Sequence, residues 1–245
     1  MDKIKLLVYG EGPTDYGWRD ASGEWRAGPI IYLLQKCAAE LQTELEIDYA
    51  DKSVIDGKKR MKFGMRRTRN VNGKGIPALR FTVYALDRGY TRGIFYCDTD
   101  KVEYGKNTRE SDCKKHFEKI YEDVLQGLQD DISKKWIGIP MIALKMIECW
   151  LLADQDAYQN YFGLRPEKAL LPKRPELIWG EKKEPKSDYP KNVMTRVLKQ
   201  YHKEPGREVF IEIAKATQIR VLLEKCPISF SKFYEDFERL LLAET

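Results

Sequence analysis

The chain has 245 residues, 42% of them hydrophobic and 33% charged, and a formal net charge of +5. This composition predicts one large domain, or a domain with an appendage, with enough chain to bury a sizeable core. No apolar run approaches the ~20 residues of a membrane span, and five scattered cysteines with only two histidines argue against a disulfide framework or a structural zinc site.

Residues 4–9 read as a strand, apolar except for Lys5, and 10–28 as a loop rich in Gly, Asp and Trp. Because the chain enters a strand at once, no leader is expected; with reduced thiols the expectation is a cytoplasmic protein. Helical spacing predicts a helix over 29–44, with Pro29 in its first turn, and alternation predicts a strand over 45–50. The segment 51–75 reads as a basic insertion, in which Gly57, Gly64, Gly73 and Gly75 oppose regular structure.

A helix follows over 76–90, a strand over 93–98 and a long amphipathic helix over 109–134, where Phe117, Ile120, Tyr121, Val124, Leu125 and Leu128 recur at three and four. Residues 137–144 read as a strand that Pro140 consigns to an edge or a bend, and 145–158 as a helix. Strand and helix thus alternate through residues 1–160, which predicts an α/β fold with a mostly parallel sheet flanked by helices. The remaining 161–245 read as a Pro- and Lys-rich excursion with a short helix over 193–201. Two helices over 207–225 and 231–243 follow, packed on the same domain as a C-terminal helical appendage.

Carboxylates follow two of these strands at once: Glu11 and Asp15 after the first, Asp98 and Asp100 after the third. Ligands of open α/β sheets bind at the carboxyl ends of strands. Acids gathered there repel one another unless a cation neutralises them, and hard carboxylate oxygens suit Mg²⁺ or Mn²⁺. In an extended segment Asp98 and Asp100 point the same way. An isolated DxD also occurs as the nucleophile motif of dehalogenase-like phosphatases, with Asp98 attacking, and as the metal motif of sugar-nucleotide transferases. An acidic strand-end loop without function would look the same.

Between Lys58 and Lys74 lie Lys58, Lys59, Arg60, Lys62, Arg66, Arg67, Arg69 and Lys74, with no acid among them. Those charges leave the rest of the chain net negative, and they are either a footprint for a polyanion or a solvated loop. Phe63, Trp18 and Trp25 are aromatic neighbours able to stack on bases or to cover the sheet end, whereas Tyr90 reads as core packing.

The pairing of Glu11-Gly12-Pro13-Thr14-Asp15 with Asp98-Thr99-Asp100 resembles the TOPRIM fold of topoisomerases, bacterial primases and nucleases of the overcoming-lysogenisation-defect type. The stretch PMIALKMIECWLLAD at 140–154 and the ending EKCPISFSKF at 224–233 resemble a group of small standalone TOPRIM-like bacterial proteins of unassigned function. The resemblance implies that Glu11, Asp98 and Asp100 surround divalent metal, that Asp15 is the second acid of the nuclease branch, and that the fold is TOPRIM/Rossmann-like.

Glu148 is a further metal candidate, against a local pairing with Lys145; Asp154, six residues on, faces elsewhere on a helix. Two metals ~3.5–4 Å apart stabilise the attacking and leaving oxygens of an in-line displacement. Glu11 with Asp15 and Asp98 with Asp100 are the expected holders. A cation on the phosphate is expected from Lys145, Lys186 or Lys191, with Lys145 the catalytic candidate and Lys191 also a nucleic-acid contact.

Nucleases of this kind often dimerise and often work with an ATPase. This chain contains no GxxxxGK[ST], so an ATPase would be a separate chain. The expectation is therefore a metal-dependent endonuclease acting on nucleic acid, DNA favoured, with a homodimer and a role in phage defence implied by resemblance alone. A non-catalytic nucleic-acid-binding subunit with a structural metal, and a phosphatase using Asp98, remain alternatives.

Overall fold

Four parallel strands in the order β4-β1-β5-β6 organise the molecule. The computed structural model of the chain describes residues 3–55, 71–129 and 135–243. β1 (Ile4–Gly10) is followed by a small antiparallel hairpin of β2 (Gly17–Arg19) and β3 (Trp25–Ala27), then by α1 (Pro29–Glu40), β4 (Leu45–Tyr49), α2 (Lys52–Ile55) and α3 (Gly75–Asp87). β5 (Arg92–Asp98), α4 (Glu110–Leu128) and β6 (Ile137–Ala143) complete the sheet unit. Beyond it come α5 (Ile147–Leu151), α6 (Gln155–Phe162), two short 3₁₀ turns, α7 (Pro190–Lys199), α8 (Arg207–Ala216), α9 (Ile219–Lys225) and α10 (Phe230–Leu242).

The central strands β1 and β5 are apolar on both faces because both are covered. Leu6, Val8, Ile94 and Tyr96 pack towards α1, α5 and the C-terminal helices, with Trp150, Phe210 and Phe233 in the same core. The alternate residues Leu7, Tyr9, Phe95 and Cys97 pack towards α3 and α4, against Phe81, Phe117 and Val124. This is an α/β fold with a parallel sheet flanked by helices. Pro140 is tolerated because β6 is an edge strand, where a missing backbone donor is harmless.

The connections decide where a site can form. The chain leaves β1 through α1 on one face to reach β4 on one side of it. It then crosses through α3 on the other face to β5, on the opposite side of β1. The order reverses between β1 and β5, and in open α/β sheets the crevice that takes a ligand lies beyond the carboxyl ends at such a reversal.

Several expected elements differ. The 10–28 loop holds the β2–β3 hairpin, whose Trp25 stacks on Tyr49 at 4.5 Å and leans on Tyr16 at 4.9 Å; Trp25 thus covers the sheet end. The 145–158 helix is broken after Leu151. Asp154 restarts it by capping α6, its Oδ1 accepting from Asp156 N at 2.9 Å. The other oxygen of Asp154 accepts from Gln218 N at 2.8 Å, which splits the expected 207–225 helix into α8 and α9. Gly75, expected to oppose structure, begins α3. The basic residues Lys58, Lys59, Arg60, Lys62, Arg66, Arg67 and Arg69 lie outside the described residues, as does the expected end of the 109–134 helix. No helix among the described residues is long and apolar enough to cross a membrane. All five cysteines are buried and free.

Two contacts fix the helices that frame the sheet. At the crossing of α3 and α4, a Cβ on Gly127 would lie 2.2 Å from the Gly75 carbonyl oxygen. Gly127→Ala should therefore cost about 1–3 kcal/mol in urea unfolding, although alanine is the better helix former by ~1 kcal/mol; a variant as stable as the parent would refute this close approach. On the opposite face, the buried Glu176 caps α10. Its carboxylate accepts from Ile228 N and Ser229 N, both at 2.9 Å, and from the Ser229 hydroxyl, which also accepts from Trp150 Nε1. Glu176→Ala orphans buried donors and should lose about 3 kcal/mol, with Glu176→Gln intermediate; equal stability of all three proteins would show that the cap carries nothing.

Candidate metal centre

Each acid reaches the crevice through a specific local device. Gly10 ends β1, and a Cβ there would lie 2.5 Å from Tyr16, so only glycine lets the following turn fold back on the strand. Within that turn Asp15 N and Tyr16 N both donate to the Gly12 carbonyl at 3.1 Å. The start of α1 pins the far side, with Ile30 N donating to Asp15 O at 3.1 Å. Asp15 is thereby returned to the neighbourhood of Glu11.

The second turn is held by three hydrogen bonds across to the end of β6. Thr99 N donates to Ala143 O at 3.0 Å, Asp100 N to Lys145 O at 2.8 Å, and Lys145 N to the Thr99 hydroxyl at 3.0 Å. From α4, His116 Nε2 donates to the Thr99 carbonyl at 3.1 Å. Asp100 and Lys145 both adopt left-handed backbone, with φ of 54° and 78°. For a residue other than glycine this costs on the order of 1–2 kcal/mol each, and the surrounding bonds and burial hold it. The chain then turns into α5, whose first turn carries the buried Glu148.

The structure brings Glu11, Asp15, Asp98, Asp100 and Glu148 into one electrostatic field. Burial pushes Asp15 up to about 7, with the charges of Glu148, Glu11 and Asp100 adding to it and Lys191 opposing. Burial and the Asp15 charge hold Asp98 well above the usual carboxylate range, against the hydrogen bond that Tyr96 donates to its Oδ1 at 2.5 Å. Glu148 is raised too, by burial first, with Lys191 again opposing. Negative charge has been concentrated here without matching positive charge.

Two lysines supply part of the balance. Lys74 donates to both carboxylate oxygens of Glu11, at 2.7 Å each. Lys191, at the start of α7, has its Nζ 3.9 Å from Glu148 Oε1 while its side chain remains more than half exposed. The Lys52 ammonium donates to the Glu11 backbone carbonyl at 2.5 Å.

Lys145 does not join the group. Its side chain is fully buried, with its Nζ 5.3 Å over the Trp179 ring and facing the Cys113 thiol. Burial lowers its pKa. The left-handed backbone that serves Asp100 also turns this side chain into the core. Asp154, excluded on helical spacing, is spent on capping. The residue that sequence reasoning passed over is Lys74, counted only as one charge in a basic run. Its place at the start of a helix, beside the end of β1, is a tertiary fact that no local pattern announces.

Among the described residues no three His, Cys, Asp or Glu side chains converge tightly enough to form a ready ligand set. Glu11 is engaged by Lys74 and Asp98 by Tyr96, and like charges hold the others apart. The donor chemistry nevertheless fits a hard divalent cation: five carboxylates and no thiolate or free imidazole. A cavity of about 540 Å³ lies apart from this group, lined by Thr108, Lys173, Arg174, Trp179, Asp188 and Arg196 among others, and it contains none of the five acids.

An acid whose pKa is raised from about 4 in the unfolded chain to about 7 in the fold binds its proton more tightly when folded. Its favourable contribution is complete at low pH and is lost as pH rises through about 7. In EDTA, thermal melts should therefore show the protein less stable at pH 8 than at pH 5.5. Asp15→Asn should raise the melting temperature at pH 8 more than at pH 5.5; a gain that is equal at both pH values would sink this account of Asp15.

Comparison with protein-family models, with curated proteins and with solved structures finds no match, so the reading of this centre rests on its own geometry.

Proposed function

We propose that the chain is a TOPRIM-like endonuclease that cleaves nucleic-acid phosphodiester bonds with Mg²⁺ or Mn²⁺, DNA being the favoured substrate. One observation carries this reading. Five carboxylates that follow three adjacent parallel strands lie within one another's electrostatic reach where the strand order reverses, and burial and neighbouring charge raise the pKa of Asp15, Asp98 and Glu148. Such a concentration of charge is costly to hold without a cation.

Bound divalent metal would supply charge stabilisation for the attacking and leaving oxygens of an in-line displacement at phosphorus. Glu11 and Asp15 on one side, and Asp98 and Asp100 on the other, are the residues that would hold it, with Glu148 closing the third side. Tyr96 steadies Asp98 through its hydroxyl and so orients one carboxylate in advance. Lys191 is an exposed cation beside Glu148 and takes the phosphate-facing role that the buried Lys145 cannot. The cationic lining of the neighbouring cavity, Lys173, Arg174 and Arg196, lies near α7 and offers a polyanion further contacts on leaving the centre. The run from Lys58 to Arg69 adds charge for a backbone in the same reading. These 245 residues contain no phosphate-binding loop, so any ATPase activity coupled to the centre would come from outside them.

The test is nicking of supercoiled plasmid by the purified protein with Mn²⁺ or Mg²⁺, beside the Asp98→Ala/Asp100→Ala double variant. Metal-dependent nicking should fall by about a hundredfold or more in the variant. Salt-sensitive DNA binding without cleavage in the parent would instead favour a binding subunit, and undiminished nicking by the variant would move the site elsewhere.

A further inference from the structure

Glu11, the first acid after β1, is held in an ion pair with Lys74. Both oxygens of Glu11 accept from one ammonium at 2.7 Å, so a cation already bridges the carboxylate, and a metal binding both oxygens competes with it. The pair is about 70% buried on each side, well removed from the screening that makes surface pairs weak. Lys74 directly precedes α3, whose first residue Gly75 is locked against α4, so the ammonium is delivered from a rigid element. Its field reaches Asp100 as well as Glu11, which places it inside the acidic group.

We propose that Lys74 is a built-in counter-ion, which a divalent metal must displace from Glu11 before the centre can load. This rests on the metal-centre reading above and deepens it: Lys74 sets the metal affinity of the site and holds Glu11 in place meanwhile. The exchange releases an ammonium within reach of the acids, at a point where a phosphodiester would bring new negative charge. In metal-free protein the same contact lowers the repulsion that Glu11 would otherwise add to Asp15 and Asp98.

The experiment is titration with Mn²⁺ alone at pH 7.5, following the loss of the free-ion electron paramagnetic resonance signal, with circular dichroism to confirm that each variant is folded. Lys74→Met keeps the length of the side chain and removes its charge; it should tighten Mn²⁺ binding about tenfold. Lys74→Arg, which keeps the charge and can still engage both oxygens, should bind no more tightly than the parent. In a Glu11→Gln background the gain from Lys74→Met should vanish, because there is no carboxylate left to compete for.

Unchanged or weaker binding by a folded Lys74→Met variant would overturn the proposal. So would a gain that persists undiminished beside Glu11→Gln, since that is a general field effect without exchange. If neither the parent nor Lys74→Met binds Mn²⁺ up to millimolar concentration, the metal-centre reading itself fails and takes this inference with it.

Discussion

Repulsion among carboxylates at one end of a parallel sheet is the constraint around which the rest of this structure is arranged. Acids that follow β1, β5 and β6 lie within one another's field, and burial first, with neighbouring charge adding to it, makes Asp15, Asp98 and Glu148 harder to ionise. A fold tolerates such a cost only where something holds the groups in place. Here the holding elements are the strand order itself, the tight packing of Tyr16 on Gly10, and the clip between the Asp98–Asp100 turn and the end of β6. Lys74 and Lys191 offset part of the charge from opposite sides, one anchored at a helix start and the other exposed.

The backbone around Thr99 shows how strain and position are linked. Two left-handed residues in contact, Asp100 and Lys145, let a carboxylate face the crevice while its partner's long side chain is sent into the core. Neither conformation is stable alone. Together they are held by the buried Thr99, whose amide, hydroxyl and carbonyl are partnered by Ala143 of β6, by Lys145 just beyond it and by His116 of α4. The placement of Asp100 thus depends on His116 and Ala143, neither of them among the acids of the centre.

Much of the sheet unit was legible because fully buried strands and amphipathic helices leave strong periodic signals. Glu11, Asp15, Asp98 and Asp100 stood out because each follows an apolar run immediately. Glu148 was legible by its position after β6, and Pro140 by its incompatibility with a central strand. What stayed hidden depends on contacts between distant segments. Asp154 reaches Gln218 and so breaks a helix that the 207–225 pattern would continue. The 10–28 loop forms a hairpin because Trp25 finds Tyr16 and Tyr49. Sequence favours Lys145 over Lys186 and Lys191 because it lies next to a strand end, but its left-handed backbone and burial keep the side chain out of the group. No composition rule could separate Lys74 from the seven other cations of its run.

Lys191 is supplied by α7, from the last third of the chain, after an excursion that folds back over that helix. Asn192 donates to the Glu184 carbonyl at 2.7 Å, and Arg196 to Pro185 O and Ser187 O at 2.7 Å each. The excursion is tied in turn to the start of α10 through Glu176. A growing polypeptide that has emerged only as far as α6 would hold all five acids without this cation or the helices that cover one sheet face. Contacts of such long sequence separation form late, so during synthesis the centre would remain incomplete until almost the whole chain has left the ribosome.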